Sequence, residues 1–328
     1  MSSPAASPTQ LDVVIVNWNA GALLGECLDA LAASTIAAAL HVIVVDNASR
    51  DGSWAACVAR RDLRVSLIRN PDNRGFGAAC NQGAAAGDAP YLLFLNPDTR
   101  VFPDTLEAAL AFARRPFGGA PPGAVGVIHV DDRGEAQRTC ASQPTAGRLL
   151  GRALALDRIA PRLAPPLFMT GWDHLDTRAV AQVMGAFLLM ERALFERLGG
   201  FDARYFVYYE DMDLCLRVAA AGRPVVHFAG ARTWHKTQGT TAQVRDRRLF
   251  YFWRSEMTFA ARHFGAATAW LLLPAYMFVQ TPLRVLQAAL RGQPGEWRQP
   301  LRALGLLLQA LPDLRRRIRA AGAARRGG

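Results

Sequence analysis

Four apolar runs of strand length alternate with helical stretches near the start of the chain. The runs span 11–16, 41–45, 65–69 and 91–95. The first two consist mostly of β-branched residues without polar alternation, a pattern typical of strands that are buried on both faces of a parallel sheet. Strands that alternate with amphipathic helices predict a doubly wound, mostly parallel α/β sheet.

Polar residues follow these strands where they leave the sheet. Asn17 follows the first strand, Asp46 and Asn47 follow the second, and Asn96 and Asp98 follow the fourth. The proline between the last two has no amide proton and should end that strand. Ligands of open α/β sheets bind at this edge, where carboxylate and amide oxygens can hold a hard divalent cation. Asp98 could equally cap the following helix.

The glycine pattern of the strand exits restricts the choice of enzyme class. The exit of the first strand has no G-x-G-x-x-G sequence, and Gly75-Phe76-Gly77 after the third strand lacks the third glycine. These absences argue against an NAD-linked oxidoreductase. A nucleotidyltransferase would need a glycine-rich, basic first exit to hold a triphosphate, and Asn17-Trp18-Asn19 does not provide one.

An acidic cluster opens a predicted helix near Glu210. Asp211, Leu214, Cys215 and Val218 then share one face, the face turned toward the core. A carboxylate at the head of an apolar stripe is unfavourable unless it has a partner or a chemical role. Asp211 is therefore a candidate functional residue, with capping of the helix as the alternative.

His235 is a second candidate because of its position. It follows a short predicted strand, 224–228, and a histidine there is usually a packed or surface residue. The acidic strand ends already suggest a cation site, and imidazole is a suitable ligand for several divalent metals. His235 is therefore a candidate ligand for a cation at that site.

The C-terminal part of the chain is basic and contains an apolar stretch. The formal net charge is +11, and ten arginines against two acids lie from Arg284 onward. The tail has no zinc-finger spacing or RNP-type aromatic pattern, so an anionic membrane surface is the expected partner and nucleic acid is not. Residues 264–283 carry no charge but include Pro274, which predicts a membrane-embedded or interfacial hairpin. A pair of soluble core helices is the alternative.

Several weak motifs occur in one order along the chain. They are Val16-Asn17-Trp18-Asn19, Val45-Asp46-Asn47-Ala48-Ser49, Asn73-Arg74-Gly75-Phe76-Gly77 with Asn81, Asn96-Pro97-Asp98, Gly185-Ala186-Phe187, Glu210-Asp211-Met212-Asp213-Leu214 and His235. Together they resemble the family 2 glycosyltransferases of the GT-A fold, and among these the bacterial rhamnosyltransferase-like branch. The resemblance extends from Asp12 to about Phe264.

The resemblance implies a role for each candidate residue. Asp46 would recognise the pyrimidine ring of a nucleotide sugar. Asp98 and His235 would bind Mg²⁺ or Mn²⁺, with Asn96 in place of the first acid of the family's metal motif. Asp211 would be the general base. Donor-side contacts are implied for Asn17, Asp46, Asn47, Arg74, Asn81 and Asn96.

The implied reaction is direct displacement on a nucleotide sugar. One carboxylate deprotonates the acceptor hydroxyl, so the anomeric configuration should invert. dTDP-rhamnose is the first expected donor, followed by UDP-galactofuranose or another UDP-hexose. The acceptor would be a saccharide, free or linked to a polyprenyl diphosphate, at the cytoplasmic face of the plasma membrane during cell-surface polysaccharide synthesis. A non-catalytic, membrane-tethered binding module is the alternative.

The sequence also predicts a domain arrangement. Residues 1–10 would be a disordered tail, and 244–328 would be basic, membrane-associated helices. The GT-A domain, 11–243, would divide into a nucleotide-sugar half, 11–116, and an acceptor half, 117–243. Within the acceptor half, the proline-containing segment 144–176 has little periodicity and is predicted to be a mobile acceptor-side loop, with a surface insertion as the alternative.

Overall fold

The computed structural model describes residues 9–58, 60–236, 245–292 and 296–326. Most of the predicted tail and the predicted boundary at 243 lie outside these ranges, so both stay predictions. The chain divides into two compact units. The first, called the sheet unit, comprises Met1–Ala141, Thr170–Ala203 and Asp211–Thr240. The second, called the helical unit, comprises Ser142–Met169, Arg204–Glu210 and Thr241–Gly328.

The sheet unit is built on one mixed β-sheet. Its strands are β1 Leu11–Asn17, β2 Leu40–Asp46, β3 Val65–Arg69, β4 Tyr91–Leu95, β5 Thr99–Val101, β6 Ala124–Val130, β7 Arg178–Ala179, β8 Phe187–Glu191 and β9 Val225–His235. They lie in the order β3-β2-β1-β4-β8-β6-β9-β5, with β7 paired to β9. β1 to β4 are parallel to one another, whereas β8 is antiparallel to both β4 and β6.

Helices pack on the sheet and build the helical unit. They are α1 Ala22–Ala32, α2 Phe76–Ala84, α3 Thr105–Ala113, α4 Ala146–Ala153, α5 Leu156–Ile159, α6 Arg192–Arg197, α7 Glu210–Ala220, α8 Arg245–Phe264, α9 Ala266–Ala275, α10 Thr281–Leu290, α11 Arg298–Gln309 and α12 Leu311–Arg326. α4, α5 and α8 to α12 belong to the helical unit.

The core of the sheet unit follows from the apolar pattern of its first two strands. β1 and β2 are buried over their whole length, as the runs of β-branched residues predict. α1 covers them with Leu24, Cys27, Leu28 and Leu31, all fully buried. Each such leucine contributes about 1.5–3 kcal/mol relative to an exposed one. The parallel order of these strands brings their polar ends to one edge of the sheet.

A buried ion pair ties β1 to the segment after β8. The Arg192 Nη2 atom lies 2.5 Å from Asp12 Oδ2, and the Asp12 side chain is fully buried. Arg192 also donates to the backbone carbonyls of Ala84 and Ala89, at 2.6 Å each, and the Ala89 amide donates to Asp12. His41 Nδ1 lies 3.3 Å from the second carboxylate oxygen. These contacts compensate the desolvation of both charges.

Two predictions about element bounds are wrong. The segment 144–176 is not irregular throughout, because it contains α4 and α5; Thr145 caps α4 by accepting a hydrogen bond from the Arg148 amide. Eight residues are too few to give a clear helical period. The strand predicted at 224–228 continues to His235 as β9, since β5, β6 and β7 all pair with it.

The predicted apolar hairpin is also wrong in shape. α9, a π-helical turn over Tyr276–Gln280 and α10 form one continuous helix, Ala266–Leu290. Pro274 lacks an amide proton, and the wider turn after it lets the helix continue. Among the described residues this helix alone is long and apolar enough to cross a membrane, with a mean hydropathy of 1.2 and 28% of the apolar window buried. Length and composition by themselves are weak support for a span.

The buried ion pair gives a stability prediction. Arg192→Met should lower the free energy of unfolding by about 3–5 kcal/mol, because it leaves the Asp12 carboxylate buried without its cation. Denaturant unfolding followed by circular dichroism measures the change. Arg197→Met, on the exposed side of the same short helix, is the matched control and should change stability little. Equal effects of the two substitutions would contradict the role given to the ion pair.

Candidate active site

Asn17 and Asp46 lie side by side at the carboxyl ends of β1 and β2. The two residues are in register, and both are buried. The Asn17 Nδ2 atom lies 2.7 Å from Asp46 Oδ1 and 2.8 Å from Ser53 Oγ, and the Ser49 amide donates to Asp46 Oδ2 at 3.1 Å. The carboxylate is thus held by donors on two sides. Both serines lie in the polar stretch that follows Asp46 in the sequence, which predicted no role for either of them.

Asn47 connects two strand exits through its side chain. Its amide nitrogen donates to the Gly75 carbonyl at 3.1 Å, and its amide oxygen accepts from Asn70 at 2.9 Å. Asn70 also donates to Gln82 on α2. Asn47 therefore supports the loop that carries Arg74, and its predicted contact with a donor stays a prediction.

Arg74 and Asn81 occupy different surroundings. The Arg74 side chain is exposed and lies 3.8 Å from Asp72. Asn81 instead exchanges two hydrogen bonds of 2.8 Å with the backbone of Phe201, one as donor and one as acceptor. A Cβ on Gly200, at φ +71°, would come within 2.6 Å of the Asn81 oxygen, so this turn requires glycine. Asn81 thus holds the Phe201 turn in place.

The proline-containing exit of β4 ends the strand as predicted. β4 stops at Leu95, and the chain re-enters the sheet as β5 from Thr99. Asn96 is half-buried, and its amide donates to the Ala186 carbonyl at 3.1 Å. This bond places the start of β8 beside the end of β4. Asp98, two residues further on, is almost fully buried.

Asp98 and His235 come together because β5 pairs antiparallel with β9. Thr99 is in register with His235, and the Lys236 amide donates to the Asp98 carbonyl. His235 Nε2 and Asp98 Oδ1 lie 3.6 Å apart, and both side chains are buried. That separation is longer than a hydrogen bond. It suits two atoms bound to one cation, because ligands about 2.1 Å from a shared ion lie roughly 3–4 Å apart.

His129 on β6 is a neighbour of this pair that the sequence did not indicate. Its ring is buried and lies edge-on to His235, with 5.5 Å between the ring centroids. Within the described residues neither ring nitrogen has a hydrogen-bond partner. Burial, with the nearby histidines, holds the pKa of His129 well below its ordinary value, so the ring that packs against His235 is neutral.

Asp211 lies at the start of α7 and accepts hydrogen bonds on both carboxylate oxygens. The Gly185 amide donates to Oδ2 at 3.0 Å, Gln182 Nε2 donates to the same oxygen at 2.9 Å, and the Met212 amide donates to Oδ1 at 2.7 Å. The side chain is partly exposed. Burial raises the pKa of the Asp211 carboxyl, and these hydrogen bonds oppose the rise. A positioned carboxylate with a raised pKa suits a general base.

One edge of the sheet holds Asn17, Asp46, Asn96 and Asp211. Asn17 and Asp46 end two parallel strands, and Asn96 follows β4, which runs parallel to them. Asp211 joins the same edge because it is bonded to Gly185, next to the Ala186 carbonyl that accepts from Asn96. The sequence did not indicate Gln182, because no periodic pattern marks its long-range contact with Asp211.

The chain resembles glycosyltransferases in sequence. The chain matches the glycosyl transferase family 2 model over residues 12–198. The N-acetylglucosaminyl-diphospho-decaprenol L-rhamnosyltransferase of Mycobacterium tuberculosis is 31% identical over 297 residues, which cover 84% of this chain and 94% of the relative. Galactofuranosyltransferase GlfT2 of the same species is 23% identical over 294 residues, which cover 82% of this chain and 44% of the relative.

Solved structures share the fold. The mannosyltransferase PcManGT from Pyrobaculum calidifontis, in complex with GDP-Man and Mn²⁺, has a TM-score of 0.54 at 20% identity and covers 97% of this chain and 87% of its own. S. aureus TarS 1–349 with UDP-GlcNAc has a TM-score of 0.52 at 16% identity, with coverage of 96% and 88%. The predicted GT-A fold and family resemblance are confirmed. The chain therefore belongs to glycosyltransferase family 2, in its rhamnosyltransferase-like branch.

Proposed function

We propose that this protein is an inverting glycosyltransferase that moves rhamnose from dTDP-rhamnose to a lipid-linked saccharide. The observation that carries the proposal is Asp211, a partly exposed carboxylate with a raised pKa, held beside the edge where three parallel strands end. The choice of rhamnose and of a lipid-linked acceptor is supported by the mycobacterial relative, an N-acetylglucosaminyl-diphospho-decaprenol L-rhamnosyltransferase that matches 84% of this chain. The galactofuranosyltransferase relatives make a UDP-sugar the second candidate donor.

Asp211 would accept the proton of the acceptor hydroxyl. Its Oδ2 atom is occupied by donors from Gly185 and Gln182, which orient the carboxylate and stabilise its charged form. Deprotonation by one carboxylate allows a direct displacement, and the anomeric configuration then inverts. This one-step chemistry needs no carboxylate nucleophile.

Asp98 and His235 would hold a divalent cation. A carboxylate and an imidazole suit Mn²⁺, and the carboxylate also suits Mg²⁺. Within the described residues no group of three or more His, Cys, Asp or Glu side chains could hold a metal, so the donor diphosphate would complete the ligand set, as is common for such ions. When bound, the cation would offset the negative charge that develops on the leaving diphosphate.

The donor base would lie near Asn17 and Asp46. Asp46 is held by the Asn17 amide and the Ser49 backbone, so its carboxylate is oriented before any ligand binds. Asn47 and Asn81 would act indirectly, because their amides are already bonded to loop backbone. Exposed Arg74 remains available to contact the donor.

A lipid-linked acceptor requires the enzyme at a membrane, and we place it at the cytoplasmic face. The helix Ala266–Leu290 and the arginines that follow it support attachment to an anionic surface. The five cysteines are all buried free thiols, which is consistent with a reducing compartment.

Replacing the base tests the catalytic assignment. Asp211→Asn should lower kcat by about 10²–10⁴-fold, since general-base catalysis contributes that much, while calorimetric binding of dTDP-rhamnose stays nearly unchanged. Asp88→Asn, an exposed carboxylate, is the matched control. Retained turnover in Asp211→Asn would rule the assignment out.

Gln182 positions Asp211, and the pH dependence of kcat/KM distinguishes this role from a structural one. Gln182→Leu removes a hydrogen bond to the charged form of Asp211 and should raise the pKa of that carboxyl further. A base must be deprotonated, so the acid limb of the kcat/KM profile should move to higher pH while the plateau at high pH recovers. A uniform loss of activity at every pH would instead indicate a structural role.

Calorimetry tests whether Asp98 and His235 bind a metal, and the measurement needs no turnover. In wild-type protein dTDP-rhamnose should bind more tightly with Mn²⁺ than with chelator present, because the cation and the diphosphate attract each other. Asp98→Ala should remove that difference by removing a ligand, and Asp104→Ala, on an exposed carboxylate, should not. An unchanged effect of Mn²⁺ in Asp98→Ala would contradict the site.

A further inference from the structure

A buried charged network lies inside the helical unit, and the sheet-edge site does not account for it. Arg152 of α4 forms an ion pair with Glu256 of α8 and donates to Tyr209 Oη at 2.8 Å. Tyr276 donates to the other Glu256 oxygen at 2.6 Å, and Gln280 donates to the Arg152 carbonyl at 2.8 Å. Glu256 and Tyr276 are almost fully buried. The network fixes α4 against the helix Ala266–Leu290.

Further arginines gather around this network. Arg284 of α10 donates to Gln280 at 3.2 Å, and Gln280 is itself bonded to Arg152. Desolvation, followed by repulsion from Arg158, Arg152 and Arg248, lowers the pKa of the Arg284 guanidinium. The positive charges of Arg152 on α4, Arg158 on α5 and Arg248 on α8 therefore act on Arg284 of α10. The arginine cluster consists of Arg152, Arg158, Arg248 and Arg284.

The arginine cluster has more positive charge than its surroundings neutralise. Among the described residues only one of its members, Arg152, has a carboxylate partner, which is Glu256. Arg158 and Arg284 are exposed, so an anion from outside can reach them, and like charges near one another favour its binding. A guanidinium matches phosphate oxygens with two parallel hydrogen bonds, so a phosphate ester is the anion that fits best.

An exposed apolar stripe runs along the helix that carries Arg284. Its members follow at intervals of three or four residues, and none is charged. Phe278 is 73% exposed and Leu290 is 78% exposed, which is unusual for such large side chains in a row. Ile159 and Leu163, on either side of Arg162, are similarly exposed. The stripe comprises Leu271, Pro274, Phe278, Pro282, Leu286 and Leu290.

The buried side of the same helix argues against a transmembrane position. Tyr276, in the middle of the helix, is bonded to Glu256, which pairs with Arg152. A spanning helix would take this charged network to the centre of the hydrocarbon, where ionised groups are strongly disfavoured. A helix that is apolar on one side and carries polar contacts on the other lies in the membrane surface. Arginines can then reach the phosphates while their stems stay among apolar groups.

We propose that the arginine cluster binds the diphosphate of the lipid-linked acceptor while the apolar stripe lies among the acyl chains. The inference rests on the proposed function for the identity of the acceptor, and it deepens that function by naming the acceptor site. A diphosphate carries more negative charge than an ordinary phospholipid headgroup and so relieves the repulsion among the cations more fully.

Binding of farnesyl diphosphate in detergent micelles tests this directly. The full chain is titrated with saturating dTDP present, so that the donor site is filled. Arg158→Gln and Arg284→Gln should each weaken binding roughly tenfold or more, because each removes a charge-assisted hydrogen bond to phosphate. Arg115→Gln removes an exposed arginine of the sheet unit, is the matched control and should bind like wild type.

Further probes separate the sources of phosphate. Inorganic pyrophosphate and farnesyl monophosphate should bind more weakly than farnesyl diphosphate to wild-type protein. Unchanged binding of farnesyl diphosphate in both cluster variants, or none by wild type, would overturn the proposal. The proposal would also be overturned if the cluster variants lost as much affinity for phosphatidylglycerol vesicles as for farnesyl diphosphate. The cluster would then be a general contact for anionic lipids.

The donor measurements keep the two proposals apart. Affinity for dTDP-rhamnose is measured in the same proteins and should be unchanged by the cluster variants, whereas KM for the lipid-linked acceptor should rise. Wild type and variants could all fail to bind dTDP-rhamnose while the cluster variants lose farnesyl diphosphate binding. That result would refute the donor assignment and support the lipid site. If dTDP-rhamnose binds and the cluster variants keep their affinity for farnesyl diphosphate, the lipid site alone is refuted.

Discussion

Strand β4 determines the site because it is hydrogen-bonded along both edges. β1 runs parallel to it, so Asn17 and Asn96 leave the sheet at the same edge. β8 runs antiparallel to it, so the start of β8, rather than its end, meets that edge at Ala186. Gly185 then donates to Asp211, which carries the proposed base to the polar ends of the parallel strands. A shift in the pairing of β8 would therefore displace the base.

Arginines have different electrostatic surroundings in the two units. In the sheet unit Arg192 meets Asp12, and backbone carbonyls accept its remaining hydrogen bonds, so the charge is balanced within the protein. In the helical unit Arg152 is paired with Glu256, but the arginines beside it add charge without adding acids. Balanced buried pairs stabilise a fold only modestly. The unbalanced group is better explained by an anion that arrives from outside.

The parts of the fold that local pattern controls were predictable. Continuous runs of β-branched residues predicted the first strands, and parallel order then brought Asn17 and Asp46 together. Prediction was weaker where partners are far apart in the chain. Asn81 is bonded to Phe201, 120 residues away, and no local signal distinguishes that contact from a ligand contact. The helix that contains Pro274 was predicted as a hairpin because a proline usually interrupts a helix, and the π-helical turn was not foreseen.

The sequence by itself determined the doubly wound sheet, the edge where ligands bind and the polar residues that line it, because these depend on apolar periodicity and on the direction of parallel strands. The proposed roles of Asp98 and His235 as metal ligands and of Asp211 as general base came from the sequence only through resemblance to a family. Tertiary structure alone decided that Asp98 and His235 lie 3.6 Å apart, because that depends on the register of two strands distant in sequence. It also decided that the charges of arginines on α4, α5 and α8 act on Arg284 of α10, since electrostatics acts between neighbours in space and not in sequence.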